Sequence, residues 1–238
     1  MLHKTNGIVL RSTKYSETSI IVKIFTEKFG VQTYLVNGVH SAKAKGKAAL
    51  YQHGNLLDLV VYYRESGNIF RISEAKLAFV YQHIPFDIVL SSLLLFCIEL
   101  LNKTQKEHVK QEEVFEYVQK SFVLLDGENM PVKNFHIAFL LGLSKHLGFF
   151  PSVDGGKYFL LQEGIFSDAV STGVFFLDEK FSTLLKKFLP LGMEQAQEIS
   201  LPAVDRKQLL HYLIQYFSLH IEGFGEMRSP EILNTVFS

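Results

Sequence analysis

The sequence predicts an α+β protein of two domains: a small five-stranded barrel over residues 1–80 and a mainly helical domain over residues 81–238. Three observations carry this reading. Apolar residues alternate with period two as far as about residue 80 and recur at helical spacing after Ile84-Pro85. Five short strand-like segments come first, with a basic connector after the third. Charge divides at the same place: residues 1–80 hold eleven Lys and Arg against five Asp and Glu, a net of +6, and residues 81–238 hold the compensating −6.

The first strand is read at Gly7 to Arg11, followed by a loop through Lys14-Tyr15-Ser16-Glu17. From Ser19 to Phe25, Ile20, Val22 and Ile24 share one face, and Ile21, Lys23 and Phe25 the other. After the turn Thr26 to Gly30 comes Val31 to Val36, with Val31 and Leu35 assigned to one side and Gln32 and Tyr34 to the other. Leu56–Tyr63 and Ile69–Glu74 complete the set across a hairpin-like loop, Arg64-Glu65-Ser66-Gly67-Asn68. Within the connector, Ala48 to Tyr51 is compatible with one helical turn. Five strands with a helix after the third is the order of an OB-fold, a barrel that binds oligonucleotides, although other small barrels also have five strands.

A basic barrel attracts polyanions, because each neutralised phosphate releases condensed counterions. The connector holds Lys43, Lys45 and Lys47 between small residues, which lets ammonium groups reach a phosphate backbone without reading bases. The same run is also compatible with a plain solvated loop. It is not a phosphate-binding loop of the nucleotide-hydrolase type, since Ala48 follows Gly46-Lys47 where Ser or Thr is required. Arg11, Lys14, Lys23, Arg64 and Arg71 are further phosphate contacts on the barrel. Phe25 and Tyr34 either stack unpaired bases beside Lys23 or lie covered by another part of the chain.

Beyond Pro85, Val89, Leu93, Phe96, Cys97, Leu100 and Leu101 mark a buried helix with Glu99 embedded in it. Further helices are read at 111–125, 133–146, 179–189 and 205–221, and Ser229-Pro230-Glu231 opens a last one. Between Gly148 and Asp178 the pattern breaks into short aromatic segments, 158–162 and 173–177.

Chemistry is hard to find in this half. Nine histidines are scattered with no three- or four-residue spacing between any pair, and one cysteine makes no familiar zinc site with them. No nucleophile elbow or catalytic carboxylate cluster is present, so no catalytic residue is assigned and no enzyme is expected. A single Cys97 in an apolar run excludes a disulfide framework. No signal peptide precedes the first charges, and the most apolar stretch, 88–101, is too short to cross a bilayer. A cytoplasmic protein with no membrane association is expected.

The assembled residues resemble the RecO family of bacterial recombination mediators. Gly7-Ile8-Val9-Leu10-Arg11, Tyr15-Ser16-Glu17-Thr18 and Phe25-Thr26 with Gly30 look like its first strand, loop and second strand. Gly38 with the lysine connector is similar to its basic loop. Ile98-Glu99-Leu100-Leu101 looks like its helix with an embedded Glu, and Leu140-Leu141, Leu147-Gly148-Phe149 and Pro151 resemble its central helix and exit turn. The resemblance implies an N-terminal OB-fold, binding of single- and double-stranded DNA, strand annealing, and action with RecR to load RecA on strands coated by single-strand-binding protein. Many members carry four metal-ligating cysteines after the central helix. This chain has neither Cys nor His from Phe150 to Asp178, so no metal or other cofactor is expected, and packing of Tyr158, Phe159, Phe166 and Phe175 is expected to hold that region. The acidic tail of single-strand-binding protein would need a basic, apolar groove, and Lys133, Lys145, Lys186, Lys187, Arg206 and Lys207 are too dispersed in sequence to place one. Two other readings stay open: a protein-docking adaptor with incidental DNA contact, and an RNA-binding OB protein.

Overall fold

A computed structural model describes residues 1–39, 46–64, 67–128, 130–153 and 155–237. The chain forms two compact units, one of Met1–Phe86 with Ile98–Asp126 and one of Asp87–Cys97 with Gly127–Ser238. The strands end near residue 80, as the periodicity indicates, but the first unit also takes in 98–126. The physical reason is that Phe115 covers the outward ring of Phe25, with ring centroids 5.5 Å apart.

In the first unit, β1 (Leu2–Lys14), β2 (Ile20–Thr26), β3 (Gly30–Val36), β4 (Leu56–Tyr62) and β5 (Phe70–Leu77) close a barrel in the order β1-β2-β3-β5-β4. A single 3-10 turn, Lys47–Tyr51, follows β3. This is the OB-like arrangement. Strand β1 is long because it serves two partners, pairing with β4 over Leu2–Ile8 and with β2 over Gly7–Lys14. Gly7 sits where the two pairings overlap. A Cβ there would lie 2.6 Å from Ile24 Cγ2 and 2.7 Å from Leu59 Cδ1, so the crossing needs glycine.

Val9, Ile20, Val22, Ile24, Leu57, Leu59, Val61 and Phe70 fill the barrel, as the alternation implies for β2. Strand β3 is the reverse of its sequence reading. Val22 pairs with Tyr34 and Ile24 with Gln32, which puts Tyr34 and Gln32 on the inward face. Both are 1% exposed. The Gln32 amide survives burial by donating to the Phe29 carbonyl.

Helix α2 (Glu112–Leu125) also belongs to this unit and ends at Asp126. The buried Asp126 carboxylate accepts from the backbone N–H groups of Gln82 (2.7 Å), His83 (2.9 Å) and Ile84 (2.8 Å), pinning the chain that leaves the barrel.

Helix α1 (Ile88–Thr104) contributes its first turns to the second unit and its last turns to the first. The second unit adds α3 (Phe135–His146), α4 (Glu179–Phe188), α5 (Ala203–His220) and α6 (Ser229–Val236). Its irregular region is a three-stranded sheet, β6 (Tyr158–Leu160) between β7 (Ile165–Ser167) and β8 (Phe176–Leu177). Phe159 and Phe166 are buried there and contact each other at 5.0 Å, but Phe175 is half exposed and holds nothing in place. Ser182 does part of that work, accepting from Phe159 N–H and donating to the Leu177 carbonyl. Lys186 does the rest: its ammonium donates to the carbonyls of Gly155 and Gly156 and lies 4.5 Å from the Phe166 ring. No three His, Cys, Asp or Glu side chains converge among the described residues, so these residues do not fit the zinc cluster of the resembled family.

Candidate nucleic-acid interface

The expected contacts fall in three places on the barrel. The first is the β1–β2 loop. Lys14 ends β1 opposite Ile20 and is exposed, as is Tyr15. The chain beyond β3 folds back onto this loop: Val39 N–H donates to the Thr18 carbonyl and Ser19 Oγ to Asn37 Oδ1. Lys47, at the far end of the connector, donates to the Asn37 carbonyl at 3.1 Å. Lys14 and Lys47 therefore flank one end of the barrel. Lys43 and Lys45 lie outside the described residues.

The second place is the outer face of β2 and β3, where oligonucleotides lie on OB barrels. Arg11 is exposed and sits directly across from Lys23. Phe25 is 0% exposed beneath Phe115, and Tyr34 points into the core, so neither ring is open to a base in this structure. Lys23 is not free either. It pairs with Glu107 at 3.0 Å, the two side chains being 29% and 53% exposed. Glu107 belongs to a strap, residues 105–111, that runs between α1 and α2. His108 N–H donates to the Val31 carbonyl, and Glu107 forms a parallel bridge to Val31. Gly30 has a φ of 65°, and a Cβ on it would collide with the Val109 carbonyl, so glycine lets the strap lie against the start of β3. A surface pair such as Lys23–Glu107 contributes roughly 0.2–1 kcal/mol.

The third place is the mouth at the β4–β5 loop. Here barrel closure brings Arg64 and Arg71 into one cleft of about 500 Å³ with Met1, Leu35, Tyr62, Tyr63, Ile69 and Phe70. Tyr62 pairs with both Leu2 and Arg71 across the ladders, which draws the amino terminus and the start of β5 together. Tyr63 is fixed between Phe29, stacked at 4.0 Å, and Phe70, stacked at 5.5 Å. The Met1 ammonium donates to the Tyr63 carbonyl at 3.2 Å. Tyr62 and Ile69 stay 52% exposed. Three cationic groups beside exposed aromatic and aliphatic surface can hold phosphates and stack a base. Glu65 and Ser66 of this loop lie outside the described residues. Sequence reading finds the two arginines and misses Tyr62, Ile69 and Met1, whose proximity depends on the closed barrel.

A larger groove on the barrel, about 580 Å³, is a poorer match for a polyanion. Its Lys4, Lys28 and Lys76 are offset by Glu27, Asp58 and Glu74, and Lys76 is paired to Asp58 at 3.2 Å.

In the second unit, Arg206 and Lys207 meet His136, Leu210, Leu233 and Phe237 around a cavity of about 200 Å³. Burial, and then the Arg206 charge, pushes His136 down to about 3, so it is neutral. Its Nδ1 and the Arg206 Nε have no hydrogen-bond partner among the described residues. Elsewhere, Cys97 is buried and its thiol is pushed up by desolvation, which leaves it inert.

Comparison with known proteins covers both units. Residues 1–81 match the family model for the N-terminal part of recombination protein O, and residues 85–229 match the model for its C-terminal part. The chain is 33% identical over 240 residues to a DNA repair protein RecO of Flavobacterium psychrophilum, covering 99% of each. It is 34% identical to that of Christiangramia forsetii and 31% identical to that of Bacteroides fragilis, covering 100% of each chain in both cases.

Proposed function

Because this chain belongs to the RecO family of DNA repair proteins, we propose that it is a non-catalytic recombination mediator that binds DNA on its barrel and anneals complementary strands. Residues 1–80 act as the DNA-binding domain and residues 81–238 as the helical domain. The observation that carries the reading is the β4–β5 mouth, where Arg64, Arg71 and the Met1 ammonium border exposed Tyr62. Cations there hold the backbone, and the tyrosine face takes an unpaired base whatever its identity. Lys14, Lys47 and Arg11 extend the phosphate track along the barrel, with Lys43 and Lys45 as further contacts.

In this reading the protein acts with RecR to load RecA on strands coated by single-strand-binding protein, in the cytoplasm. The acidic tail of single-strand-binding protein requires cations beside apolar walls. The cavity of Arg206, Lys207, Leu210 and Leu233 supplies both, although the basic residues of this half are dispersed in sequence. The test is annealing of bare complementary DNA strands without partner proteins. Acceleration that depends on Arg64 and Arg71 supports the reading. No acceleration favours a docking adaptor, and equal affinity for matched RNA strands keeps an RNA-binding role open.

A further inference from the structure

The strap 105–111 crosses the β2–β3 face on which an OB barrel lays its oligonucleotide. Its acidic side chain meets the lysine of that face, Glu107 to Lys23 at 3.0 Å. Beside Lys23, on the neighbouring strand, stands Arg11, exposed and directly opposite in register. A carboxylate between those strands offers Lys23 what a phosphate would: an anionic oxygen acceptor at ion-pair distance.

We propose that the strap masks a second stretch of the nucleic-acid path, with Glu107 standing in for a strand phosphate, and that a bound single strand displaces it. This rests on the reading that the barrel binds nucleic acid, and it adds regulation of that site.

The attachments suit displacement. Lys106, Glu107, His108, Val109 and Lys110 are all exposed, and the Lys23–Glu107 pair is open to water on both sides. His108 adopts φ 60°, a left-handed conformation whose strain a non-glycine residue relieves by leaving. The strap's own cations do not oppose the change: Lys110 is paired with Glu112 at 2.7 Å, and Lys106 faces solvent. Phe115 remains on Phe25, so the opened path offers Lys23 and Arg11 to phosphates and no stacking platform at Phe25.

The test is binding of a labelled oligothymidylate strand across a salt series by the full chain, Glu107→Gln, Lys23→Ala and the double variant. Equal thermal melting of parent and Glu107→Gln establishes that the fold is kept. Glu107→Gln should bind more tightly at low salt, with a log–log salt slope steeper by about 0.7 for one more neutralised phosphate. Its advantage should then shrink about fivefold over a tenfold rise in salt. Lys23→Ala alone should change affinity by no more than about twofold, since the pair already occupies that lysine. The double variant should lose the gain. In the parent, hydrogen exchange at the His108 amide should accelerate when the strand is added. An unchanged affinity and slope in Glu107→Gln, a gain that persists without Lys23, or an unchanged His108 amide would each overturn the mask while leaving the β4–β5 mouth in place. A parent that binds no strand at any salt overturns the function itself, and the mask with it.

Discussion

Side-chain direction decides which aromatic residues of the barrel can meet a base. Tyr34 and Tyr62 are both tyrosines on strands, yet Tyr34 is inside the core, its phenol pushed up by desolvation, while Tyr62 is half exposed at the mouth. Sequence alternation misassigns Tyr34 because Gln32 and Tyr34 carry polar atoms inward, and a polar atom on an inward residue imitates an outward one. Asp126 illustrates the opposite case, a charged side chain whose role is structural. Three backbone donors converge on its carboxylate, so Asp126→Ala leaves those N–H groups without their acceptor and should cost about 3 kcal/mol. Denaturant unfolding measures it. A loss below a few tenths of that would mean that water replaces the carboxylate.

Elements differ in how plainly the sequence announces them. The helices and β2 are legible because apolar residues keep one face over several turns or pleats. The strap is not, since 105–111 has no period and reads as a linker; only its ladder to Val31 reveals that it lies on the barrel. The connector is legible as charge. Changing Lys43, Lys45 and Lys47 together to Ala should weaken DNA binding alike for all sequences, because phosphate contacts carry no base information. The log–log salt slope should flatten by up to about 0.7 for each phosphate no longer neutralised on single strands. Lys47 is exposed and its bond is to the Asn37 carbonyl at the surface, so the fold should be retained. An unchanged slope would make the connector a solvated loop. The small sheet β6–β8 yields a different expectation. With Ser182 and Lys186 bracing it in place of metal ligands, a chelator should leave the melting temperature unaltered and elemental analysis should find no stoichiometric zinc. A chelator-induced drop in melting temperature would contradict this.

Over the whole molecule, a net charge of zero conceals a basic barrel and an acidic remainder, and that division is legible from residue counts alone. What local pattern does not contain is which basic residues converge. Arg64 and Arg71 meet the amino terminus only because β1 pairs with β4, and β5 with both β3 and β4. The first of these pairings joins Leu2 to Tyr62, positions far apart in the chain, and no local period encodes it. The central claim is that this convergence forms a strand-binding site used for annealing. Annealing of bare complementary DNA strands by the parent and by Arg64→Ala/Arg71→Ala, with binding to a single strand measured in parallel, tests it most directly. The parent should accelerate annealing without partners. The double variant should melt like the parent, lose at least about tenfold in single-strand affinity at low salt, and show a salt slope flatter by up to about 1.4 for two phosphates. A double variant that binds and anneals like the parent would contradict the account and move the site off the mouth of the barrel.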